Sequence, residues 1–257
     1  MTAAMKFISR GSRSPKSPVS LQSSSPPVTP SPPVTPSSPV NRLPFPKTLY
    51  LYNPTSENIN AWAKLNPAYE IQVCSATEME QFLLGEFGEL YHDIFRFISD
   101  EDIKSKFLGV CLLYVYGGFY SDTGNEPVVS FDTFIESGVD LITCNSYLST
   151  MNSYWGDMRF NFNPTFIVSH KKNAILKNCL DWYVQRYNAN TPFSYLGWNM
   201  MRAFTDVLLL ENYSLSDGVY DTDTMKIQIL KECFDSKLHT VYCEYGKKRV
   251  INISSFA

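Results

Sequence analysis

The sequence predicts an α/β fold, a single domain with a mostly parallel sheet flanked by helices, preceded by a disordered Pro/Ser-rich tail. Three observations lead there. From residue 47 onward, short apolar runs alternate with helical segments, the order of a layered fold built on a parallel sheet. Of the 257 residues, 44% are hydrophobic and 14% aromatic, which supplies a sizeable core, and one large domain suits the length. Residues 1 to 47 depart from that composition and hold 11 of the 16 prolines.

In chain order, the tail comes first. It carries the near-repeat PPVTP at Pro26 to Pro30 and again at Pro32 to Pro36. Pro and Ser at this density give too little apolar surface to offset the entropy of ordering, so residues 1–44 read as a tether and residues 45–257 as the folded domain. Within residues 1–47, Lys6, Arg10, Arg13, Lys16, Arg42 and Lys47 stand without an acid, a charge of +6 against a net −3 for the chain, which leaves −9 on residues 48–257. Ser14-Pro15, Ser17-Pro18, Thr29-Pro30 and Thr35-Pro36 are sites for proline-directed phosphorylation, and the repeats suit a Pro-binding partner. The bland reading is a spacer with no specific partner. The net negative charge argues against general binding to nucleic acid.

Lys47 to Tyr52 reads as a strand, Glu57 to Leu65 as a short helix and Tyr69 to Cys74 as a second strand. Glu78 to Ile98 is helical with a break near Gly85 or Gly88. Asp102 to Tyr116 is a helix that turns apolar on every side after Phe107, and a Gly-Gly break leads into the strand Phe119 to Asp122. Val139 to Cys144 and Phe166 to Ser169 are interior strands, Ala174 to Tyr187 and Trp198 to Leu210 helices, and Lys226 to Leu230 is strand-like. Ligands gather at the carboxyl ends of parallel strands, which is where Asp122 falls.

The longest apolar run, Phe107 to Tyr116, is about half the length of a membrane span. Met1 to Ile8 lacks the apolar stretch of a signal peptide. Six cysteines without a Cys-x-x-Cys pair indicate free thiols in a reducing compartment. The expectation is a soluble, cytoplasmic protein; the glycosylation sequons at Asn212 and Asn252 matter only in a secreted one.

The run KSKFLGVCLLYVYGGFYSDTG, Lys104 to Gly124, resembles the sugar-binding segment of the family-32 glycosyltransferases. That segment reads Lys-Ser-Asp, an Arg, an apolar run, Tyr-Gly-Gly and then Asp-x-Asp. Phe45 to Leu51 is similar to the family's first strand, Trp62 to Tyr69 to the segment leading into its second, Asn161 to Ser169 to its Asn-containing strand, and Gly197 to Leu208 to a late helix. The resemblance implies a GT-A fold, a nucleotide-sugar donor, Mn2+ or Mg2+, and transfer to a glycan, protein or lipid acceptor with retention of anomeric configuration. A divalent ion acting as Lewis acid stabilises the departing diphosphate, and carboxylates at i and i+2 of an extended segment clamp it from one face.

Three positions depart from the pattern: Gly124 stands for the second Asp, Lys106 for the Asp after Ser105, and Gly109 for the Arg. Asp122 remains for the donor and metal. Glu126, on the same face if the chain stays extended, is a candidate replacement ligand, and Lys106, near a helix N-terminus, a candidate diphosphate contact. Their bland readings are a solvated turn acid and a surface lysine. The resemblance adds Asn161 and Asn163 as donor contacts and His239 as a further metal contact. A second Asp-x-Asp, Asp221 to Asp223, sits in a polar turn and reads as a capping feature. The functional expectation is glycosyl transfer. The alternatives are a catalytically impaired module that binds nucleotide, glycan or protein without transfer, and a scaffold whose activity lies in the tail.

Overall fold

Capping side chains set most of the helix starts in this chain. The structure is a computed structural model that describes residues 44–147, 162–210, 217–221 and 224–253, all within the unit Asn41–Ala257. The tail ahead of Pro44, Asn161, Asn212, Thr222 and Asp223 lie outside the described residues.

The first strand, β1 (Thr48–Tyr52), leads to α1 (Ser56–Leu65), where the Thr55 hydroxyl accepts from the Asn58 amide. After β2 (Glu70–Cys74), a Ser75/Glu78 capping box opens α2 (Ala76–Glu86). The break in the long helical stretch falls at Gly88, before α3 (Glu89–Phe97). Asp100 caps α4 (Glu101–Tyr116) through the Ile103 amide at 3.0 Å. The Gly117-Gly118 pair then takes φ of 71° and 108°, turning the chain out of α4 into β3 (Gly118–Ser121). A Cβ on Gly118 would lie 2.6 Å from the Thr48 carbonyl oxygen, so the glycine lets β3 settle beside β1.

The remaining elements are β4 (Glu126–Pro127), β5 (Leu141–Asn145), β6 (Phe162–Ser169), α5 (Ala174–Asn188), α6 (Tyr195–Trp198), α7 (Met200–Leu210), β7 (Gly218–Asp221), β8 (Lys226–Asp235), β9 (Thr240–Tyr245) and β10 (Lys248–Ile253). The single helix expected over Trp198 to Leu210 is two. Asn199 separates them and its side chain accepts from the Met201 amide at 2.8 Å, capping α7.

The sheet runs β2-β1-β3-β6-β5-β8-β9-β10-β4, with β7 also on β8. It is mixed, which corrects the expected mostly parallel sheet. Among the described residues only β1 with β2, β1 with β3 and β5 with β8 pair in parallel. β6 runs antiparallel between β3 and β5, and the C-terminal strands form hairpins. Gly246 and Lys247 at φ 55° and 64° join β9 to β10, the two-residue turn whose twist matches that of its strands.

Alternate residues of the inner strands feed two cores. Tyr50, Tyr52, Tyr120 and Ile167 face the layer that holds α2, α3, α4, α5 and α7. Leu49, Leu51, Phe119 and Val168 face a smaller cluster around Trp62, Phe131 and Phe166. Burial on both faces explains why these strands read as continuous apolar runs. Among the described residues no helix is long and apolar enough to cross a membrane.

α4 meets the sheet at Gly109, where the Tyr120 ring occupies the space a side chain would need. A Cβ there would lie 2.4 Å from the ring. Gly→Ala at an open helical position stabilises by about 0.5–1 kcal/mol, but here overpacking of roughly 1–3 kcal/mol opposes it. Gly109→Ala is therefore expected to lower the thermal midpoint, and a raised midpoint in differential scanning calorimetry would refute this packing.

Burial pushes the thiols of Cys111 and Cys179 and the Tyr183 phenol well above their ordinary values. A raised folded-state pKa favours the folded state fully below the unfolded value, and the benefit is lost as pH rises beyond it. With an ordinary thiol value of 9.0, the urea midpoint is expected to hold at neutral pH and fall progressively above that value. A midpoint unchanged up to about pH 10.5 would contradict burial of these groups.

Candidate functional site

The carboxyl ends of β1 and β3 lie at one edge of the sheet, because the two strands are parallel, and antiparallel β6 begins at the same edge. The N-terminal turn of α4 closes over it: the Tyr52 hydroxyl, at the end of β1, donates to Glu101 at 3.1 Å. Between them is an open cavity of about 430 Å³, lined by Tyr52, Glu101, Asp102, Ser105, Asp122 and Gly124 among others. A second cavity, about 360 Å³ beside the start of β1, includes Phe45, Tyr69 and Glu136 and none of the predicted site residues.

Both carboxylate oxygens of Asp122 are engaged. Its Oδ1 accepts from the Tyr120 hydroxyl at 2.6 Å, and its Oδ2 accepts from the Thr165 hydroxyl at 2.9 Å. The same Oδ2 lies 3.0 Å from Lys106 Nζ. Lys106 also donates to Asp102, one helical turn before it on α4. Burial by itself would depress the lysine pKa, but the Asp122 and Asp102 carboxylates outweigh it and hold the ammonium above the usual lysine range. Burial holds the Asp122 carboxyl above its ordinary range, with Lys106 opposing the shift. Lys106 is only 5% exposed, so it is no surface lysine. Its charge sits behind the cavity wall, between two carboxylates.

Asn125 fixes the backbone beneath Asp122. Its amide donates to the Asp122 carbonyl at 3.0 Å and its side chain to the Thr165 carbonyl at 2.8 Å. Asn58 on α1 donates to the Asn125 carbonyl at 2.7 Å. The chain therefore turns over Asp122 to Asn125, and the extended course that would align Glu126 with Asp122 is absent. Glu126 is exposed on β4, paired with Asn252 of β10.

His239, exposed, takes φ 50° in the turn from β8 to β9, where Asp235 accepts from the Lys237 and Leu238 amides. Asn163 is buried and donates to Glu232 at 2.7 Å. Among the described residues no group of three or more His, Cys, Asp or Glu is placed to hold a metal. The structure thus joins Lys106 with Asp122 and leaves Glu126 and His239 in separate settings.

Sequence reasoning missed Asp102, Tyr120, Thr165 and Glu232. The spacing of Asp102 four residues before Lys106 on one helix was the available signal for an ion pair. Tyr120 lies two residues before Asp122 along the strand, the spacing that puts both on one face. Thr165 meets Asp122 across 43 residues of chain and Glu232 meets Asn163 across 69, separations that no local pattern encodes. Glu232 is buried, and its carboxylate accepts from the Tyr147 amide as well as from Asn163; burial pushes its pKa up.

Residues 53–139 match the family described as glycosyltransferase sugar-binding region containing DXD motif. A solved structure titled PaToxG Glycosyltransferase is similar at 18% identity, covering 67% of this chain and 76% of that one, with a TM-score of 0.46. No curated protein matches the chain. The matched stretch spans Asp102, Lys106 and Asp122 of the cavity.

Proposed function

We propose that the chain is a glycosyltransferase that moves a sugar from a nucleotide-sugar donor to a glycan, protein or lipid acceptor, with retention of configuration. Residues 45–257 form the transferase domain and the Pro/Ser-rich tail is its tether. The observation that carries this reading is the cavity between α4 and the end of β3, lined by Asp122 and Asp102 within the matched region. Ionised carboxylates only accept hydrogen bonds, which suits them to the hydroxyls of a sugar. Tyr120 and Thr165 fix the Asp122 carboxylate, so little ordering is left for the moment of binding.

The family's motif implies a divalent ion, and the donors here do not fit one. Position 124 is a glycine, and Asp122 is already engaged by a phenol, a hydroxyl and an ammonium. No step is therefore assigned to a metal.

A panel of nucleotide sugars incubated with the protein is expected to yield free nucleotide from one of them, with the product anomer unchanged by NMR. Asp122→Ala should reduce release by about a hundredfold or more, the scale of losing one preorganised polar contact. Nucleotide sugar bound without release would replace transfer with a binding function. Release untouched by Asp122→Ala would move the reaction out of this cavity.

A further inference from the structure

Lys106 stands where a cation is needed between the two carboxylates of the cavity. Its Nζ is 3.0 Å from Asp122 Oδ2 and donates to Asp102 Oδ1, and the residue is 5% exposed. The opposite oxygen of Asp102 lies 3.4 Å from the Tyr195 hydroxyl. Asp122 Oδ2 faces the Lys106 ammonium and the Thr165 hydroxyl, whose single proton it shares with Asn125 Oδ1 at 3.1 Å. A divalent ion binding Asp122 would have to displace those donors and then sit beside a buried ammonium of like charge.

We propose that Lys106 is a built-in cation that takes the place of the divalent metal, so that the cavity binds its sugar ligand without one, through Asp102 and the second lone pair of Asp122 Oδ1. This deepens the proposed glycosyltransferase reading and rests on it for the identity of the ligand. Asp102 becomes a binding residue at a position one turn away from the pattern's own Asp. With Lys106 buried on the far side, the cavity presents carboxylate oxygens, a hydroxyl from Ser105 and the phenol of Tyr52. That wall recognises an uncharged polyhydroxylated group. The assignment stands on geometry, and the elevated lysine pKa agrees with it, since the ammonium stays charged across the working pH range.

The direct probe is Mn2+ alone, followed by the electron paramagnetic resonance signal of the hydrated ion. The wild-type protein is expected to leave that signal undiminished. Lys106→Gln, which frees two adjacent carboxylates, is expected to take up the ion and quench it, with folding checked by circular dichroism. Gly124→Asp, which rebuilds the second motif carboxylate while keeping Lys106, is expected to leave the signal free.

Uptake of Mn2+ by the wild type that is lost in Asp122→Asn would overturn the proposal. So would a folded Lys106→Gln protein that binds no Mn2+, or uptake by Gly124→Asp with the lysine present. If Lys106→Gln does not fold, the wild-type and Gly124→Asp measurements still decide. None of these readings needs turnover, so a failed transferase assay and a failed metal prediction are distinguishable.

Discussion

The contact between Lys106 and Asp122 is the constraint on which the site depends. It ties the second turn of α4 to the end of β3, two elements joined in sequence only through the Gly117-Gly118 turn. Breaking a buried ion pair by removing one partner costs about 3 to 5 kcal/mol, because the other charge is left without compensation. Asp102 and Thr165 complete the set by bonding the remaining face of each partner. The edge of the sheet is therefore fixed before any ligand arrives. That rigidity suits a binding cavity, where ordering side chains at the moment of association subtracts from affinity.

Local pattern carried much of the architecture. β1, α1, β2, α4, β3 and α5 fall close to where periodicity places them, because each has its signal within a few residues. Gly88 and the Thr55, Ser75 and Asp100 caps are of this kind. What failed was orientation. Whether a strand joins its neighbour parallel or antiparallel depends on partners far along the chain, and β6 inserts antiparallel between β3 and β5 without any local mark of it. The C-terminal hairpins left a signal that went unread: Gly246-Lys247 between alternating strands is a turn dipeptide, and the positive φ of both residues is its physical basis.

The site was legible as a location and not as a constellation. Asp122 at a strand tip follows from β3 alone, and so does its place beside a cavity. Its partner Thr165 does not, since that residue arrives through the pairing of β3 with β6. Glu126 illustrates the reverse error. Its alignment with Asp122 required an extended chain, and the Asn125 amide bonding back to the Asp122 carbonyl turns the chain instead.

The three departures from the motif behave as one arrangement and not as three losses. Gly124 removes a carboxylate from the place a metal would need, and Lys106 brings in a cation that makes the metal unnecessary for holding Asp122. Gly109 clears the helix surface for the Tyr120 ring, whose hydroxyl then occupies Asp122 Oδ1. Asp102, whose carboxylate meets Lys106, returns a negative group to the cavity where residue 106 has none. Buried charges persist only when paired and hydrogen-bonded, so a site that had merely decayed would leave Asp122 or Lys106 without partners. Both are paired, which is the physical reason to read this cavity as built for a ligand that needs no divalent ion.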